Sequence, residues 1–146
     1  MKRIMVISAV LALTVCALGA CGSKSYKDGT YTAKSAEYVS DDGTEDGNGY
    51  GEVKITIEGG RISDVEFKTY ELDGTLKDEE YGKEDGEIKN KDFYTKAQRA
   101  RSACDNYASQ LKAKGELSQV DAVSGATVNY NEFREAVTAA LKQAEE

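Results

Sequence analysis

Residues 53–67 constrain the fold more than any other stretch of this chain. Val53, Ile55 and Ile57 alternate with Glu52, Lys54, Thr56 and Glu58; Gly59-Gly60 intervenes, and Ile62, Val65 and Phe67 follow. A period of two places the apolar side chains on one face of a strand and the polar ones on the other. Two such runs around a glycine pair predict an antiparallel hairpin, because both central residues of the tightest turn need positive φ. The alternation slips at Ser63-Asp64, which predicts a bulge. A sheet with one apolar face must be covered by something.

The cover is legible further along. Phe93, Ala97, Ala100, Cys104, Tyr107 and Leu111 recur in steps of four and three, one stripe of a helix from Asp92 to Lys114. Asp92 is the candidate cap of its start, and Gly115 stands where a helix stops. A second helix is expected from Asn131 to Ala144, with Phe133, Val137, Ala140 and Leu141 on one face. Asn129 and Glu132 have capping-box spacing ahead of it. Asp28 to Ala33 reads as a turn opening another strand, and Val120 to Val123 as a strand end. The fold class is therefore α+β: a small antiparallel sheet with two helices packed on it. Leu72 to Asn90 is charged and punctuated by glycine, with Leu76, Tyr81 and Ile88 as anchors, and reads as a surface loop or one helical turn.

The first twenty residues stand apart. Lys2 and Arg3 precede an apolar stretch, Ile4 to Val15, that is short for a membrane span and has the layout of a secretory signal. Leu18-Gly19-Ala20-Cys21 then resembles the lipobox of bacterial lipoproteins, in which the cysteine is lipidated (diacylglycerol on the thiol, palmitate among such acyl groups) and becomes the new N-terminus. An ordinary signal peptide cleaved near Ala20 is the plainer alternative. The lipoprotein reading is preferred because all four box positions fit. It divides the chain into a signal at 1–20, a lipidated Cys21 and short tether at 21–27, and one domain at 28–146, anchored in the cell membrane on its extracytoplasmic face. Cys16 leaves with the signal and Cys21 carries lipid, so only Cys104 remains, placed on a helical stripe as a small core hydrophobe.

Charge and composition remove several function classes. The chain has 19 basic and 26 acidic residues, a net charge of −7, and no histidine. Loss of Lys2 and Arg3 with the signal takes the net charge to −9. An acidic domain argues against nucleic acid as a partner and against lying flat on anionic lipid. Without histidine there is no histidine-based triad, His general base or usual His metal site. Asp42, Thr44, Asp46 and Gly47 imitate the first half of a calcium loop, but the twelfth position is Val53 where a bidentate glutamate is required, so this is read as a solvated loop.

One run carries positive information. Asp121-Ala122-Val123-Ser124-Gly125-Ala126-Thr127 lies just ahead of the second helix, where exposed N–H groups and the helix dipole favour a phosphate. Ser124, Gly125 and Ala126 are small enough to let a ligand approach the backbone, and Thr127 adds a hydroxyl. The run resembles the flavinylation motif of the FMN-binding domain family, Asp-x-x-Ser/Thr-Gly-Ala-Thr. The likeness extends over roughly residues 28–144, and Lys77 to Gly82 also resembles a segment of small lipoproteins of this family.

The resemblance implies FMN joined to Thr127 by a phosphoester bond that a separate flavin transferase makes. Ser124, Gly125 and Ala126 would hold the phosphate, and Asp121 would orient the loop or be read by the transferase. Asn129 departs from the Ser or Thr common at that position. Tyr130, Tyr50 and Tyr31 are the candidate platforms for the flavin ring. No residue is assigned as catalytic. The chain reads as an electron-transfer module whose acidic surface opposes reduction of the flavin, with redox partner proteins and the membrane as its neighbours. The alternative is a non-redox, ligand- or partner-binding lipoprotein that uses the same fold without flavin.

Overall fold

The structure is a computed structural model that describes residues 25–44 and 47–145. The expected signal and Cys21 lie outside the described residues. Three antiparallel strands form a sheet in the order of the chain: β1 (Gly29–Lys34), β2 (Tyr50–Glu58) and β3 (Arg61–Tyr70). Two helices follow, α1 (Lys91–Lys114) and α2 (Thr127–Glu145), separated by a short 3-10 turn at Leu117–Gln119.

The hairpin forms as its pattern dictates. Gly59 and Gly60 both take positive φ, 60° and 74°, and Glu58 pairs with Arg61 across them. Thr56 faces Asp64 while Ile57 faces Ile62, so Ser63 is the extra residue of a bulge, its hydroxyl turned to the Thr56 carbonyl at 3.2 Å. On one face Val53 pairs with Phe67 and Ile55 with Val65, all buried. The opposite face is polar, with Lys54 bonded to Glu66 at 2.7 Å.

Helix α1 packs over β3, and α2 over β1 and β2. Between helices and sheet, the Phe133 ring meets Phe67 edge-on at 5.0 Å and Tyr107 at 5.6 Å. Each fully buried aliphatic or aromatic side chain in such a layer contributes about 1.5–3 kcal/mol. This is the α+β sandwich that the periodicities predict.

Four local expectations change. Asn90, not Asp92, caps α1, its side-chain oxygen accepting the Phe93 N–H at 3.0 Å. Asp92 sits in the first turn, where its charge meets the positive end of the dipole. Helix α2 starts at Thr127 rather than Asn131, and its first turn closes with the Tyr130 N–H on the Ala126 carbonyl at 3.0 Å. Asn129 and Glu132 therefore lie inside the helix, both buried, and form no capping box. Val120 to Val123 is not part of the sheet. Finally, Tyr26 and Lys27 from the end of the expected tether are fastened to the domain. The Tyr26 N–H bonds Gly60 O at 3.3 Å, and the Lys27 N–H bonds Ala144 O at 2.9 Å.

Candidate functional site

The loop from Val120 to Ala126 is positioned by α1. The Tyr107 side chain is fully buried, and its hydroxyl accepts the Val123 N–H at 3.1 Å and donates to the Ala126 carbonyl at 3.2 Å. One turn on, the Gln110 side chain bonds both backbone groups of Asp121: it accepts the N–H at 2.9 Å and donates to the carbonyl at 3.1 Å. The Asp121 carboxylate lies 3.1 Å from the Lys114 ammonium. Gly125 takes φ +80°, a left-handed conformation that costs other residues roughly 1–2 kcal/mol, and so turns the loop into α2. Thr127, Val128 and Asn129 precede the first helical bond, so theirs are the N–H groups that a helix leaves without an intrahelical partner.

Beside this helix start is a cavity of about 320 Å³, a size suited to a small ligand. Gly125, Ala126 and Thr127 form one rim, and Val128 and Asn129 continue it. The first half of α1 supplies Phe93, Ala97 and Ala100, and the segment after β3 supplies Lys77 and Tyr81. Tyr81 and Phe93 meet edge to face with ring centres 6.0 Å apart. Lys77, Lys96 and Arg101 place three cations on the wall of an otherwise acidic protein.

The segment after β3 is a fixed wall rather than a loose surface loop. The Gln98 amide of α1 donates to the carbonyls of Asp78 and Tyr81, both at 3.0 Å, and the Tyr94 hydroxyl donates to Glu79 O at 3.1 Å. The chain turns back after β3, and Lys77 lies antiparallel beside the strand's end with its N–H on Thr69 O at 2.9 Å. Its ammonium donates to Gly47 O at 3.1 Å and lies 5.1 Å from the centre of the Tyr81 ring.

Behind the cavity, α2 carries a buried carboxylate. Glu132 is 4 % exposed, and neither of its oxygens has a hydrogen-bond partner among the described residues. Burial pushes its pKa up to about 7, against the pull of the Lys77 charge. Lys77 in turn is lowered by burial, while Glu132 and Glu71 oppose that shift.

Of the residues singled out in the sequence, Gly125, Ala126 and Thr127 come together at the cavity. Ser124 and Asp121 do not line it, and Asp121 is tied instead to Gln110 and Lys114 in the second half of α1. The three tyrosines named as ring platforms lie elsewhere. Tyr130 packs on Tyr107 and bonds Val120 O at 2.8 Å. Tyr50 stacks on Tyr70, and the Tyr31 hydroxyl bonds Lys27 O. The aromatic side chains that line the cavity are Tyr81 and Phe93. In the acidic loop Asp42 already accepts the Ser40 and Thr44 hydroxyls and the Thr44 N–H.

A sequence profile of the FMN-binding domain matches residues 47–142, about two thirds of the chain. The chain belongs to the FMN-binding domain family. Its cofactor is FMN, and it is a flavoprotein. Among curated proteins none matches closely enough to count as a relative. Two solved structures are similar, both from structural genomics. The crystal structure of the CPE2226 protein from Clostridium perfringens is 22 % identical with a TM-score of 0.58, covering 82 % of this chain and 89 % of its own. A solution structure from Clostridium thermocellum is 24 % identical with a TM-score of 0.43, covering 82 % and 93 %. The first supports the fold.

The residues present fit the cofactor. FMN needs a flat apolar slot for its ring and positive or N–H-rich surroundings for its phosphate. The cavity offers two aromatic side chains and two alanines for the first, and Lys96, Arg101 and the start of α2 for the second.

Proposed function

We propose that this flavoprotein is a lipid-anchored, extracytoplasmic electron carrier whose FMN is joined to Thr127 through a phosphoester bond. The observation that carries the reading is the position of Thr127: it is exposed, it opens a 19-residue helix, and it forms the rim of the cavity. In the attachment reaction the Thr127 hydroxyl oxygen bonds to the flavin-side phosphorus of a flavin dinucleotide, the phosphoanhydride bond at that phosphorus breaks to release a nucleoside monophosphate, and the hydroxyl proton passes to a base of the flavin transferase. Bound there, the flavin supplies one- or two-electron chemistry. The protein's part is to hold the phosphate at the start of α2 and to shield the ring between Tyr81, Phe93 and α1. Membership of the FMN-binding family favours this over the flavin-free binding lipoprotein.

Gly125 and Ala126 bring the backbone against the phosphate without a long side chain in the way. The helix dipole adds on the order of 0.3–1 kcal/mol for a negative group. The anchor rests on Cys21 and its lipobox. It places the domain at the membrane, beside redox partner proteins able to exchange electrons with it.

Mass spectrometry of the mature protein co-expressed with a flavin transferase tests the attachment. The expected result is a gain equal to FMN less one water, absent from Thr127→Val. An unmodified, colourless wild type under those conditions overturns it. A Cys21→Ala variant that still partitions with membranes overturns the anchor.

A further inference from the structure

The three cations on the cavity wall are not equivalent. Lys96 is exposed and Arg101 half-buried, so water and salt screen both. Lys77 is 6 % exposed. Taking an ammonium out of water costs several kcal/mol unless its surroundings compensate. Here the compensation comes from Gly47 O, the Tyr81 ring face and the negative charge of Glu132. Neither Gly47 nor Tyr81 requires a cation: a carbonyl at the surface can bond water, and a tyrosine packs equally well on an aliphatic residue.

The geometry points to Lys77 as the cation that meets the flavin ring in the cavity and raises the ring's readiness to accept electrons, with Glu132 behind it tempering that effect. The inference rests on the cavity being the ring's place in the flavoprotein described above. Reduction at neutral pH takes up two electrons and one proton, which leaves one additional negative charge on the ring. A buried ammonium at the wall favours that product, because a low-dielectric surrounding strengthens the attraction severalfold over that in water. Glu132 works the other way through Lys77. When ionised it offsets the ammonium; when protonated it leaves the ammonium's full charge facing the cavity. The acidic exterior, which the sequence suggests should oppose reduction, is screened and distant by comparison.

The test uses the flavin-loaded protein, its flavin content measured by absorbance and mass, titrated with dithionite as electron donor beside a reference dye. Lys77→Met is expected to lower the equilibrium constant for reduction at least tenfold, a fall of about 30 mV for a two-electron couple. Lys77→Arg should restore most of it, which a purely packing role would not predict. Glu132→Gln should shift the constant upward at pH 8. A loaded Lys77→Met protein whose constant stays within twofold of wild type overturns the proposal. Should Lys77→Met fail to load, Glu132→Gln decides: a raised constant supports the proposal and an unchanged one overturns it. A wild type without any flavin overturns the carrier reading itself, and the proposal with it.

Discussion

Asn129 in the first turn of α2 donates its side-chain amide to the Cys104 sulfur of α1 at 3.3 Å. The same nitrogen reaches the Ala100 carbonyl at 3.1 Å, so a buried polar group ties the motif-bearing end of one helix to the middle of the other. Replacing Asn129 with alanine leaves the helices in contact but removes the tie. The expected cost is about 1–3 kcal/mol, measured by urea unfolding of the protein. Asn129→Ser, whose hydroxyl can still donate across a shorter span, should lose less.

Cys104 shares that environment. Burial pushes its thiol pKa up, and the Asn129 and Thr69 hydrogen bonds only partly oppose the shift. The thiolate is the reactive form. A water-soluble disulfide reagent should therefore leave the native protein unlabelled and react fully once urea unfolds it. Rapid labelling of the native state would contradict the placement.

The motif loop depends on one hydroxyl. Tyr107→Phe keeps the ring between Phe133 and Tyr130 but strands the Val123 N–H and the Ala126 carbonyl. The expected destabilisation is about 1–3 kcal/mol, with unchanged helix content by circular dichroism. The proposed flavin attachment at Thr127 should slow as well, because the loop that presents the hydroxyl loses its brace.

Glu132 predicts a pH dependence with a definite sign. Its folded pKa, near 7, lies above the ordinary carboxylate value, so between about pH 4.5 and 7 the folded state holds the proton more tightly than the unfolded one. Its contribution to stability is therefore present at low pH and lost as pH rises through that window. The groups that bear on it are Lys77 from the segment after β3, Glu135 on its own helix and Cys104 from α1; β2 and β3 meet it with Gly51 and Phe67. Glu132→Gln should flatten the dependence and gain on the order of 2–3 kcal/mol relative to wild type at pH 8. An unchanged slope between pH 5 and 8 in urea titrations would count against it.

The hairpin and both helices were legible because a period of two and a period of 3.6 are written directly in residues 53–67 and 93–111. The Ser63 bulge was legible for the same reason: an added residue breaks an otherwise regular alternation. The start of α2 was not. Asn129 and Glu132 look like caps in one dimension, and only tertiary packing turns them inward, Asn129 onto Ala100 and Cys104 and Glu132 against Gly51 of β2. Lys77, Tyr81 and Phe93 were missed as site residues because their proximity depends on Gln98 and Tyr94 pinning the 78–81 segment to α1, contacts that span 15 to 20 positions. The segment Lys77 to Gly82 carried a family likeness without a role, and that was the signal available. Of the tyrosines that the sequence suggests as ring platforms, Tyr130 packs on Tyr107 and Tyr50 and Tyr31 sit on the sheet, whereas the aromatic lining of the cavity comes from α1 and the segment after β3.

The place of Thr127 at the cavity's own rim also relaxes what the cavity has to achieve. A cofactor held at that hydroxyl meets the wall at an effective concentration in the millimolar range or higher, as short tethers give. A slot with only modest affinity for a free flavin would then stay filled. Under the proposed attachment its side chains are released from the task of capture, and residues as awkward to bury as Lys77 and Glu132 can be retained for the effect on the ring proposed above.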